Sequence, residues 1–277
     1  MKISLSTTDG HSGQDTFREL VKLWGEKGYC EIEYSKRPHC WLNDNILLYD
    51  RPTLEQLRQY PVTYNFALFG NTVPKLNNSS PWIFWGRRPS LLENTKGSRK
   101  GWEDRKIESI FLGKVENPKQ FKNRTKLKWS DIIEKFEMPI SQGYPIAQYK
   151  YTQQQYLELL TMSKYGLCLP GYGPKCNREI ELLGLGVVPI FTPGVDNNYY
   201  NPLIEDVHYI KVTNPSEIKD KLKKISKEEW EKLSNNGIEW YESNCSIPGS
   251  FNTTCEILNK NNNKYDTSKK HYYQTKK

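Results

Sequence analysis

The chain has 277 residues, a formal charge of +8, 36% apolar and 13% aromatic residues. That length allows one large domain or two small ones, with eight Trp and eighteen Tyr to fill a core. No apolar run approaches the ~20 residues of a transmembrane helix, so membrane insertion is not expected. The charge does not mark a nucleic-acid binder either. The polar tail Asn259–Lys277 holds six Lys and one Asp, a surplus of five, which leaves +3 on the body. Such a tail reads as disordered. The opening MKISLSTTDGHSG lacks a basic region followed by a long apolar run, so a secretory leader is not expected and a cytoplasmic setting is. The six Cys show no CxxC pair and no metal-ligand spacing, and are expected to be free thiols.

In chain order, Lys2 to Ser6 reads as a strand that ends in the polar turn Thr7–Gly13. A helix follows over about Asp15 to Lys27, with Phe17, Leu20, Val21 and Trp24 on one face and Gly28 as its C-cap. Ile46–Tyr49 is a strand ending at Asp50, Leu54–Tyr60 a helix, and Tyr64–Phe69 a strand. Trp82–Trp85 is a further strand, ending at Gly86-Arg87-Arg88. The charged, aperiodic stretch 93–106 reads as an interdomain linker. Ile107–Leu112 then forms a strand, Thr125–Phe136 a helix, and Gln153–Lys164 a helix. His208–Val212 is a strand, and Pro215–Leu222 and Lys227–Ser243 are helices. Strands alternating with helices predict a parallel α/β sheet in each half. The expected domains are 1–100, 101–258 and the tail 259–277.

The most informative stretch is Ser163–Phe191, SKYGLCLPGYGPKCNREIELLGLGVVPIF. An apolar strand runs into a turn holding Gly171, Tyr172 and Gly173. A helix with Arg178 and Glu181 one turn apart follows, then a second apolar strand. In open α/β sheets ligands sit at the carboxyl ends of strands and against helix N-termini. Arg178 is suited to a diphosphate and Glu181 to ribose hydroxyls, although the same spacing also fits a helical salt bridge on a solvated face. Lys114, Arg124 and Lys126 form a second basic group, either phosphate contacts or a solvated charge run. Asp9 and His11 follow the first strand and suit a general base, or equally a turn and helix-cap role. Asp50 is the next acceptor-side candidate, and Arg87 and Arg88 could face an anionic group. His39 sits in a loop without a signal.

The Ser163–Pro189 block resembles the donor-binding half of exostosin-like glycosyltransferases. The shared pattern is carried by Ser163, Tyr165, Leu167, Gly171, Gly173, Arg178, Glu181, Gly186 and Pro189. Ile110–Lys114 with Arg124 downstream resembles the entry to the same domain. The resemblance implies a compact GT-B fold, two Rossmann-like domains facing across a cleft. It implies sugar transfer from a nucleotide sugar, UDP-linked by preference, to a glycan acceptor. The reaction would be inverting, with Asp9 or His11 as base and no metal or other cofactor. The short chain is similar to soluble glycosyltransferases of large DNA viruses, including one that adds xylose to capsid glycans. That implies UDP-xylose and a host cytoplasm. The reading from another class is a nucleotide- or polysaccharide-binding module without turnover.

Overall fold

The structure, a computed structural model, describes residues 1–8, 12–50, 63–71, 76–115, 117–139, 150–171, 173–261 and 271–272. The helix expected over Leu54–Tyr60 and the residues Asp9, His11 and Tyr172 lie outside the described residues. Among the described residues no helix is long and apolar enough to cross a membrane. The chain divides into two compact units. The first comprises Met1–Trp85, Asn198–Pro202 and Ser243–Lys277, and the second Gly86–Asn197 and Leu203–Glu242.

The first unit is built on six strands: β1 (Lys2–Ser6), β2 (Glu31–Ser35), β3 (Cys40–Leu42), β4 (Ile46–Tyr49), β6 (Phe66–Phe69) and β7 (Ser79–Pro81). A short β5 (Thr63–Tyr64) pairs separately. The sheet order is β2-β1-β3-β4-β6-β7. Helix α1 (Ser12–Glu26) makes the crossover from β1 to the parallel β2. Its expected apolar face is buried, with Phe17, Leu20, Val21 and Trp24 at 1% exposure or less. Gly28 follows at φ +74°, as a helix C-terminus favours.

The sheet is not wholly parallel as expected, because β3 runs antiparallel to both β1 and β4. Asn43 and Asp44, both at positive φ, make the reversal. Short polar side chains tolerate that conformation better than most. Trp82–Trp85 is a buried extended segment after β7 rather than a ladder strand.

A helix near the C-terminus, Ile247–Lys260, was not expected and closes the first unit's core. Trp24 Nε1 donates to Ser250 Oγ at 2.9 Å and Trp82 Nε1 to Thr254 Oγ1 at 2.8 Å. The rings of Phe17 and Trp82 meet edge to face at 5.4 Å. Each such ring pair adds about 1 kcal/mol beyond its buried area. The tail expected to be disordered therefore begins inside a helix. Farther on, β13 (His271–Tyr272) pairs antiparallel with β5.

The second unit carries five parallel strands, β8 (Ile107–Leu112), β9 (Lys135–Glu137), β10 (Ser163–Cys168), β11 (Val188–Phe191) and β12 (Ile210–Lys211). Their order is β12-β11-β10-β8-β9. Its helices are α2 (Pro89–Thr95), α3 (Pro118–Thr125), α4 (Gln153–Thr161), α5 (Asn177–Gly184), α6 (Ser216–Lys224) and α7 (Lys227–Asn244); the Ile247–Lys260 helix of the first unit is α8. One core face joins Phe111, Trp129, Tyr165, Leu167, Val188, Ile190 and Trp230.

Two expectations fail here for identifiable reasons. The helix expected over Thr125–Phe136 starts earlier, where Asn117 Oδ1 accepts from Gln120 N at 2.9 Å and Pro118 occupies the first turn. A 3-10 turn at Trp129–Asp131 and β9 take its place. The stretch 93–106 is not a linker but lies within the second unit, as the end of α2 and two 3-10 turns. Arg105, 3% exposed, donates to the carbonyls of Lys100, Ser163 and Leu185. Arg99 binds Gly184 O and pairs with Glu242 at 2.6 Å. Charged side chains satisfying buried carbonyls leave no hydrophobic period to read.

Candidate functional site

The carboxyl end of β10 leads through Leu169, Pro170 and Gly171 to the start of α5. At Gly171 a Cβ would lie 2.9 Å from Cys176 Sγ and 3.4 Å from Arg124 Nη2, so the chain passes where only glycine fits. Cys176 is the N-cap of α5, and its backbone N–H donates to the carboxylate of Glu179, the third residue of the helix. That reciprocal arrangement satisfies a helix-end donor that would otherwise be orphaned.

Arg178 and Glu181 are both buried, at 8% and 3% exposure, which removes the reading of a salt bridge on a solvated face. They have separate partners. Arg178 Nη2 donates to Leu112 O at 2.9 Å, and its guanidinium lies 4.3 Å from the centre of the Phe111 ring. Its Nε and Nη1 are enclosed and, among the described residues, have no hydrogen-bond partner. Burial works against its charge, while Tyr156, Cys176 and Glu179 around it favour the cation and hold its pKa above the usual arginine value. An enclosed guanidinium with two idle donors is costly, and an anion would recover that cost.

Glu181 Oε1 accepts from Arg87 N at 2.9 Å and from Gln153 Nε2 at 3.2 Å, and Oε2 from Tyr156 O–H at 2.9 Å. Burial raises its pKa, and the Arg87 N–H and Tyr156 hydroxyl act against that rise. The carboxylate thus ties the Gly86–Arg88 turn and α4 to α5.

Arg124 is 6% exposed and spends Nε on Pro170 O at 3.1 Å and Nη1 on Lys114 O at 2.5 Å. It clamps the turn after β8 to the turn after β10, and burial lowers its pKa, with Arg178 adding to the effect. Lys114 is half-buried. Glu179 is fully buried. Its Oε1 makes no well-formed hydrogen bond among the described residues, and burial pushes its carboxyl up to about 7 against the opposing effect of Arg178. Burial also lifts the Cys176 thiol to about 11. Sequence reading missed Glu179; its signal was the carboxylate three residues after an N-cap position.

Beside this cluster, a pocket of about 630 Å³ opens at the carboxyl ends of β10, β11 and β12. Leu169, Pro170, Gly173 and Thr192–Gly194 supply one wall. Lys119, Asn123 and Lys126, spaced to share one side of α3 and its exit, line it too. Lys126 belongs to the basic group that the sequence leaves open between phosphate contact and a solvated charge run. Among the described residues no acidic side chain lines the pocket, and Gly194, at φ +91°, forms part of the lining in a conformation that disfavours a side chain.

The remaining candidates fall as follows. Arg87 and Arg88 are exposed and belong to the second unit, Asp50 to the first. Asp50 is 6% exposed at the end of β4, where its carbonyl accepts from Asn71 N at 2.7 Å. At the same sheet edge His39 is 8% exposed at φ +70°, with its ring 5.0 Å from that of Tyr49. The β1–β3 register continues to place His39 beside Ser6. His39 and Asn71 were not singled out in the sequence, because neither lies in a motif.

No family model and no curated protein matches the chain. Among solved structures, an alpha1,3-fucosyltransferase is similar over 100% of this chain and 92% of its own, at 12% identity and a TM-score of 0.51. The C-terminal domain of a glycosyl transferase group 1 family protein (LpcC) from Francisella tularensis covers 57% of this chain and 92% of its own, at 12% identity and a TM-score of 0.34. The first likeness, with the two parallel-rich sheets, gives the chain a mixed α/β fold of the GT-B glycosyltransferase type.

Proposed function

We propose that the chain is a glycosyltransferase that moves a sugar from a nucleotide sugar to a glycan acceptor. The observation that carries this reading is Arg178: a buried guanidinium at the N-terminal turn of α5, with two donors that no described residue engages, at the carboxyl edge of a parallel sheet. Fixed N–H donors and a helix N-terminus suit the charge that builds on a departing diphosphate. Arg178 takes the diphosphate, with Lys114 beside it, while Arg124 holds the two turns in place. In this reading Gly171, Tyr172 and Gly173 serve the donor phosphates, and Glu181 accepts from the ribose. The pocket lined by Lys119 and Lys126 receives the remainder of the donor.

The first unit binds the acceptor. Asp9 or His11 takes the proton from its hydroxyl, in an inverting reaction that uses no metal, and Asp50 lies on that unit's acceptor side. UDP is the favoured carrier, and UDP-xylose is the first donor to test because the chain is similar to soluble viral glycosyltransferases, one of which adds xylose to capsid glycans. The test is turnover. Purified protein is given UDP-xylose, UDP-glucose, GDP-fucose or CMP-sialic acid, with and without EDTA, and released nucleotide is measured. The expected result is slow donor hydrolysis with one nucleotide class, insensitive to EDTA and lost in Arg178→Ala. Absence of release with every donor from folded protein would contradict the proposal.

A further inference from the structure

Glu179 is a buried carboxyl that the proposed reaction does not use. One oxygen holds the Cys176 N–H, while the other is enclosed near the Cys168 thiol, with no well-formed hydrogen bond among the described residues. The charged and titratable groups around it come from three elements and a loop: Arg178 and Glu181 of α5, Arg124 of α3, Cys168 of β10, and Cys176 of the loop before α5. Both thiols are neutral, since burial raises their pKa values. The charge of the cluster is therefore set by two guanidiniums, Glu181 and Glu179. With Glu181 ionised, the cluster carries one net positive charge when Glu179 holds a proton and none when it does not.

We infer that Glu179 is a positioning residue for the donor phosphates: it fixes the loop before α5 through Cys176 and takes up a proton as the diphosphate binds beside Arg178. This rests on the reading of the site as a nucleotide-sugar site. Burial, with the second oxygen enclosed, favours the neutral carboxyl, and the pKa near 7 agrees. An arriving diphosphate raises that pKa further, because a second anion in a low-dielectric enclosure disfavours the carboxylate. The sign follows. Donor affinity is highest where Glu179 is already protonated and falls as pH rises through about 7.

The experiment is calorimetric titration at pH 6 and pH 8 with UDP-xylose, UDP-glucose and GDP-fucose. A nucleotide-diphosphate sugar does not itself titrate in that range, so the slope belongs to the protein. Wild type should bind about tenfold more weakly at pH 8 than at pH 6. Glu179→Gln, which keeps an acceptor for Cys176 N–H, should bind with equal affinity at both. A purely structural role would weaken binding alike at both pH values. Wild type alone supplies a second readout: titration at pH 7 in two buffers of different ionisation enthalpy should show net proton uptake. Binding that is flat with pH and free of proton uptake overturns the role of Glu179 and leaves the transferase reading standing. Absence of binding at both pH values overturns both.

Discussion

At the scale of the residue, the second unit concentrates its unusual chemistry in α5. Arg178, Glu179 and Glu181 lie within four positions, and all are buried. The i, i+3 spacing of Arg178 and Glu181 was visible in the sequence, and so was its ambiguity. What resolves it is long-range: Leu112 and Phe111 for Arg178, and Arg87, Gln153 and Tyr156 for Glu181. No local pattern encodes those partners. They also shape a prediction. Glu181→Ala removes the acceptor of the Arg87 N–H, the Gln153 amide and the Tyr156 hydroxyl, and a buried donor that loses its acceptor costs roughly 1–3 kcal/mol, so loss of binding in that variant would mix two effects. Glu181→Gln keeps an acceptor and should remain folded, with nucleotide affinity at least about tenfold lower, some 1.4 kcal/mol. A thermal midpoint measured beside the binding constant separates the effects, and an unchanged binding constant removes the ribose role.

At the scale of the element, the βαβ block was legible because glycine and proline punctuate apolar runs. Strand β10 and helix α5 pack so closely that a Cβ at Gly166 would lie 2.3 Å from Leu182 Cδ2 and 2.5 Å from Cδ1. Leu182 is itself fully buried. Gly166→Ala should therefore cost about 1–3 kcal/mol through overpacking. Urea unfolding followed by circular dichroism reads this directly, and a midpoint equal to wild type would show that the helix can shift.

Elements held by tertiary contacts were not legible. Helix α8 contains Pro248, Gly249 and several Ser and Thr, a composition with weak helix propensity. It forms because Ser246 caps Gly249 N and because Ser250 and Thr254 accept from buried tryptophans. Strand β3 is three residues long, too short to show a period. The stretch 93–106 looked like a linker because its order comes from arginines reaching carbonyls, such as Arg105 to Ser163 and Leu185.

At the scale of the whole molecule, the chain is two α/β units whose sequences interleave. The short segment Asn198–Pro202 and the end of the chain return to the first unit. Sequence reading placed the division at residue 100 and kept the chain through 258 in the second domain. The compact units divide at Trp85–Gly86 instead. Tyr200 N donates to Trp82 O at 3.2 Å, and Asn201 to Asn244 at 2.7 Å, which holds the returning segment. Neither contact joins neighbours in sequence, so a boundary drawn from composition could not find them. The second unit contains the donor machinery proposed for this chain.

The most direct test of that proposal is equilibrium binding to the full chain. Calorimetric titration at pH 6 with UDP-xylose, UDP-glucose and GDP-fucose should give one-site binding for one nucleotide class. Arg178→Ala should bind that ligand at least about tenfold more weakly, because charge-assisted donors to phosphate are lost. Equal affinity in wild type and Arg178→Ala, or no binding by folded wild-type protein, would contradict the account.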